Sequence, residues 1–191
     1  MSMDYFTDQL LEKINFTLNY LKKGEYVDCH FEQCDFSNLD LSNYKFESCT
    51  FKACNLTLVK VQMTAFRDVI FDDCKILGVN FEDCNDFGLS LTFKNSTLNH
   101  ASFYKKKLRN ILFSKSQLHS VDFSACDLSS SVFDQCDLTG AVFSETNLEN
   151  SDLKTAFNFS IDPERNRIKK ARFSTHNVRG LLYKYGIKIE D

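Results

Sequence analysis

A bulky apolar residue returns at every fifth position over most of this chain, and that rhythm excludes the ordinary folds. The first run is Tyr26, Phe31, Phe36, Leu41, Phe46, Phe51, Leu56, Val61, Phe66, Phe71, Ile76 and Phe81. The second is Phe93, Leu98, Phe103, Leu108, Phe113, Leu118, Phe123, Leu128, Phe133, Leu138, Phe143, Leu148 and Leu153. A period of five matches neither the helix repeat nor strand alternation. It requires a unit that turns a corner every five residues and stacks on itself as a solenoid.

With the bulky residue labelled i, position i−2 is usually small, as at Cys34, Cys54, Ala101, Ser116 and Cys136. Position i−1 is often Asp or Asn, and i+1 favours Ser, Thr or charge. Alternation places i and i−2 on the inner face and i−1 and i+1 on the outer one. Residues 20 apart then stack in ladders such as Phe31–Phe51–Phe71 and Phe103–Phe123–Phe143. With only one Pro and six Gly, the corners must be turns that ordinary residues tolerate.

These residues match A(D/N)Lxx with Cys often in place of Ala, and the chain is identified as a member of the pentapeptide-repeat family. The resemblance implies an all-β solenoid: a right-handed quadrilateral β-helix with four pentapeptides per coil. The segments Ile161-Asp162-Pro163-Glu164, Ile168 to Phe173 and Leu181-Leu182 to Ile187 are similar to the tail of the Qnr quinolone-resistance and microcin-immunity branch. That similarity implies a homodimer joined through its C-terminal end, binding DNA gyrase as a surface mimic of duplex DNA. Qnr proteins commonly carry long projecting loops, whereas the repeat here holds only two surplus residues, between Phe81 and Phe93.

That break has two readings. Phe87 can serve as an intervening centre with two six-residue steps, or Asn85 to Ser90 can form a short outward loop helped by Gly88. The bulge is preferred, because an extra residue or two re-aims a strand without breaking the stack.

A solenoid needs caps at its ends. Over residues 4–23, Phe6, Leu10, Ile14, Leu18 and Leu21 fall at helical steps, which predicts an amphipathic helix stopped by Gly24. At the other end a helix is expected over His176 to Tyr185, capped by Ser174 or Thr175 and ended by Gly186, with Ile187-Lys188-Ile189 as a short edge strand. The expected organisation is one domain: a helical cap over 1–24, a β-helix over 25–155 with an irregularity near 82–92, and a C-terminal cap and dimerisation element over 156–191. Val178, Leu181, Leu182 and Tyr185 would form the dimer face.

Eight cysteines invite a metal or disulfide reading. Their spacing is the repeat's own, and a corner between neighbours holds sulfurs beyond the roughly 2.3 Å zinc–sulfur bond to a shared ion. Cys34, Cys54 and Cys74 should instead stack as small buried hydrophobes. His100 and His119 are expected as a solvated pair on adjacent coils. No phosphate loop, HExxH, GxSxG or dinucleotide fingerprint occurs, so neither catalysis nor a cofactor is expected. No apolar run is long enough for a membrane span, and no export signal is evident. A cytoplasmic protein is expected.

Charge is banded. Glu25 to Asp86 holds 12 acidic and 5 basic residues, and Asp122 to Thr155 holds 7 and 1. Between Phe87 and Val121 there are no acidic residues and six basic ones: Lys94, Lys105, Lys106, Lys107, Arg109 and Lys115. Lys106 falls at i−2, where an inward side chain should be small, and is expected to snorkel outward at a local distortion. A DNA mimic should be acidic along most of one face, and this belt interrupts it. The resulting expectation is a rigid scaffold for a protein partner, without direct nucleic-acid readout. The alternative is a gyrase-directed mimic. Asp40, Asp72, Asp134 and Glu149 are the candidate acidic contacts, and Lys105, Lys107 and Arg109 the basic ones.

Overall fold

The structure, a computed structural model, describes residues 4–188 and residue 190. The chain winds as a β-solenoid of about seven turns. One side stacks β1 (Asp4–Thr7), β3 (Gly24–Val27), β5 (Lys45–Glu47) and β7 (Ala65–Arg67) as a parallel sheet. The next stacks β2 (Leu10–Glu12), β4 (His30–Glu32), β6 (Thr50–Lys52), β8 (Val69–Asp72), β9 (Leu91–Lys94), β10 (Leu112–Ser114) and β11 (Val132–Asp134). Isolated parallel bridges such as Asp35↔Asn55 and Asp40↔Lys60 join the other two sides. The register pairs residues 20 apart, as Phe31 with Phe51 and Phe46 with Phe66.

Corners fall two residues after each centre, with the backbone left-handed. Among the described residues, twenty-four non-glycine ones adopt positive φ there, including Asp28, Ala53, Leu58 and Ser130. An L-residue in that region costs about 1–2 kcal/mol. A bond along the stack offsets it: Asp28 N–H donates to Glu47 O at 3.0 Å and Ser130 N–H to Glu149 O at 2.9 Å.

The side chains around each centre also have bonding roles. An Asp or Asn at i−1 accepts the N–H two residues on, as Asp35 does from Ser37 (2.9 Å) and Asp122 from Ser124 (2.8 Å). This is the Asx turn. At i−2, a small donor reaches the carbonyl of a centre on the preceding turn. Cys54 Sγ donates to Phe31 O at 3.3 Å, Thr64 Oγ1 to Leu41 O at 2.6 Å and Ser131 Oγ to Leu108 O at 3.1 Å. Cys, Ser and Thr therefore alternate at one kind of slot because each supplies a compact donor.

The interior is filled by aromatic ladders. Phe31, Phe51, Phe71, Phe93, Phe113 and Phe133 stack with centroid spacings of 4.7–5.3 Å. Phe81, Phe103, Phe123 and Phe143 form a second stack at 4.8–5.5 Å. The two meet edge to face, as Phe103 and Phe113 do at 77°, the geometry favoured by ring quadrupoles.

Among the described residues neither end carries an α-helical cap. Residues 4–23 form the first turn, because Phe6, Leu11, Phe16 and Leu21 extend the five-residue beat backward from Tyr26. Leu10 and Leu18, expected on the apolar face of a helix, are 62% and 84% exposed. The coil also runs past 155, with Asn147 bridged to Arg167 and Asp152 to Arg172. Beyond it, Val178–Leu181 and Tyr183–Tyr185 are short 3-10 turns, and left-handed Gly186 follows as expected. Asn177 plugs this end by donating from Nδ2 to Leu153 O (2.7 Å) and Ala156 O (2.8 Å). The expected edge strand is absent at Ile187 and Lys188; Ile189 lies outside the described residues. No described helix is long and apolar enough to cross a membrane.

Candidate interaction surface

The two surplus residues leave the stack as a loop between Cys84 and Leu91. Register shifts from 20 to 22 across it, with Val69 opposite Leu91 and Phe71 opposite Phe93. Phe87 is not an inward centre: it is 76% exposed, and Leu89 packs against the core instead. The loop is tied at both ends. Asn85 N–H donates to Thr64 O (2.9 Å), Ser90 N–H to Phe66 O (3.0 Å) and Phe87 N–H to Asn85 Oδ1 (2.8 Å). Gly88 supplies the left-handed residue, at φ +70°, and a Cβ there would stand 3.2 Å from Arg67 Nε.

Lys106 overturns its expected outward course. It is 5% exposed, and its Nζ donates to Cys84 O at 2.7 Å and to Asp86 Oδ1 at 2.6 Å. The surplus residues bring a carbonyl and a carboxylate over the slot, so a long donor fills the place of a small one. The result is a peg fixing the loop from beneath.

Phe87 lies over the guanidinium of Arg67, 5.4 Å from centroid to Cζ. Arg67 also pairs with Glu47 at 3.3 Å, and its Nε is buried without a hydrogen-bond partner. On the following turn Lys105 and Lys107 are exposed. Lys105 Nζ lies 4.8 Å from the Tyr104 ring centroid, and Arg109 pairs with Asp127 at 2.5 Å. Phe87 and Arg67 were not among the sequence candidates; the available signal was the broken beat with an aromatic inside it.

The acidic candidates do not share one face. Asp40 lies on the side centred on Leu41 and Val61, accepts Ser42 N–H at 2.9 Å, and has its carboxyl lowered by that residue. Asp72 and Asp134 lie in β8 and β11, separated by Lys94 and Ser114 in the stack. Asp72 accepts from Asn95 Nδ2 at 2.8 Å, and Asp134 from Ser114 Oγ at 3.2 Å. Glu149, on a third side, pairs with Arg167 at 3.0 Å.

The His119 ring bonds Asp137 Oδ2 at 2.9 Å, so it has a carboxylate partner rather than solvent alone. All eight cysteines are free and buried. Among the described residues no group of three or more His, Cys, Asp or Glu could hold a metal ion. At the C-terminal end Leu181 packs on the core and Leu182 is half-buried, while Val178 and Tyr185 are 40% and 54% exposed.

Stacked five-residue sides with Asx corners and small-donor slots define a class of repeat β-solenoid. The chain belongs to the pentapeptide-repeat family: the signature described as "Pentapeptide repeat region" matches residues 25–103, and "Pentapeptide repeats (8 copies)" matches 116–154. No curated protein matches the chain. Among solved structures it is similar to trypsin-treated QnrB1, a plasmid-mediated fluoroquinolone resistance protein, with TM-score 0.64 and 17% identity over 98% of this chain and 100% of that one. Full-length QnrB1 gives TM-score 0.53 and 17% identity over 96% and 100%. At that identity the likeness shows the fold.

Proposed function

We propose that this chain is a non-enzymatic scaffold that recognises a protein partner through outward side chains. The observation carrying the proposal is the filled interior, where stacked phenylalanines occupy the space a substrate would need. Small-molecule sites need a concave chamber with convergent polar groups. A cytoplasmic location fits eight unpaired thiols, since oxidising compartments favour disulfides. Affinity capture from the source cell, with this chain as bait, is expected to retain one protein saturably. No retained protein above the bead control would overturn the reading.

A second reading is a gyrase-directed regulator, dimeric through the C-terminal end, which the QnrB1 likeness and the acidic bands favour. Purified protein is then expected to inhibit supercoiling or to protect it from a fluoroquinolone. Absence of both effects up to tens of micromolar, a usual range for weak specific association, would reject it.

A further inference from the structure

We infer that the Phe87 loop is the docking element, and that it fits a protein surface offering an apolar pocket bordered by carboxylates. This deepens the scaffold reading and rests on it. Leaving a Phe side chain in water forgoes about 1.5–3 kcal/mol of burial, and this chain forgoes it beside a core slot. Between buried Phe66 and Leu108, Leu89 packs inward while Phe87 faces solvent.

The loop is also built to hold that ring still. Backbone bonds at Asn85 and Ser90, the Asn85 side chain and the buried Lys106 peg fix the segment from four directions. A preordered aromatic anchor loses little conformational entropy on binding, which is the property that makes such residues hot spots.

The surrounding charge sets the partner's chemistry. Arg67 lies against one face of the ring and is already paired with Glu47, so the free cations beside the ring are the lysines of the next turn. Lys105 and Lys107 form no ion pair among the described residues and are exposed on the next turn. No acidic residue occurs from Phe87 to Val121. Carboxylates bordering the partner's pocket would meet these cations and strengthen as water leaves. Nucleic acid fits less well. One ring face is taken by Arg67 and Tyr104 is covered by Lys105, which leaves no open pair of aromatic faces for successive bases to stack on.

The test places the photocrosslinker p-benzoylphenylalanine at position 87, with position 142 as control because Val142 is 48% exposed on another side. Irradiation in the source cell is expected to join position 87, and not position 142, to one protein through a peptide containing Asp or Glu. Lys107→Glu should abolish the adduct, and Phe87→Ser should weaken binding of that protein at least tenfold. Both exposed substitutions should leave the unfolding midpoint unchanged. A nucleic-acid adduct, adducts to many unrelated peptides, or no adduct above the control would each overturn the inference. If capture still retains a partner indifferent to Phe87→Ser, the docking assignment fails while the scaffold stands. No partner in either experiment rejects both.

Discussion

Asp137 shows how much bonding one outward carboxylate carries. It accepts from Thr139 N–H (3.1 Å), Thr139 Oγ1 (2.7 Å), Asn158 Nδ2 (3.0 Å) and the His119 ring (2.9 Å). Burial raises its pKa, but the bonds from Thr139, Asn158 and His119 outweigh it and bring the value from 3.8 to about 2. A depressed carboxyl contributes stability above its unfolded value and loses it as pH falls through the folded one. Wild type should therefore lose about 1 kcal/mol, after solvent screening, between pH 4 and pH 2 through this group. Asp137→Asn should flatten that part of the urea-midpoint profile; an unchanged slope would remove the assignment. The thiols make a second residue-scale prediction. Burial pushes Cys49, Cys126 and Cys136 up to about 12, and thiolate is the reactive form. An aromatic disulfide reagent at pH 8 should label none of the eight cysteines in the native protein and all eight after denaturation. The pattern at i−1 and i−2 was legible in the sequence, but its cause was not. Asx bonds and carbonyl-directed thiols depend on where neighbouring turns place their backbone groups.

At the scale of the element, the repeat centres of every side were legible because stacking needs them and periodicity records that need. The first turn was missed for a related reason. Phe6, Leu11, Phe16 and Leu21 keep the beat, but Leu10, Ile14 and Leu18 overlay a helical spacing, and a cap was expected there. The ring of Phe16 against Phe36 at 4.8 Å decides between them. The loop was legible as a place but not as a structure, since nothing local reveals that Lys106 reaches back 22 residues to Cys84 O. Lys106→Met should leave that buried carbonyl without its donor, a loss of about 1–3 kcal/mol. Amide exchange should rise at Asn85 to Ser90 while the β10–β11 strands keep their protection. Uniform exchange across both regions would mean the peg does not hold the loop.

Over the whole molecule, charges are arranged for pairing along the stack as much as for display. Glu25 pairs with Lys45 (3.1 Å), Glu32 with Lys52 (2.8 Å) and Glu149 with Arg167 (3.0 Å). A rod whose carboxylates are interleaved with cations lacks the even negative spacing of a duplex; on the scaffold reading proposed above, partner choice then falls to the loop and the ends. The C-terminal end is plugged by Asn177 and seated by Leu181, yet it leaves Val178, Tyr183, Tyr185 and Ile187 at 40%, 59%, 54% and 56% exposure. An isologous interface there would close as a dimer, because the same patch would serve both copies. Sedimentation at micromolar concentration is expected to give a dimer, and Val178→Lys with Ile187→Lys a monomer of unchanged unfolding midpoint. A matching pair at the opposite end, Tyr5→Lys with Leu10→Lys, should leave the dimer intact, since those residues rim the first described turn. A wild-type monomer would refute self-association at either end. A dimer broken only by the Tyr5 and Leu10 changes would move the interface to the first turn and leave the C-terminal patch free for another protein.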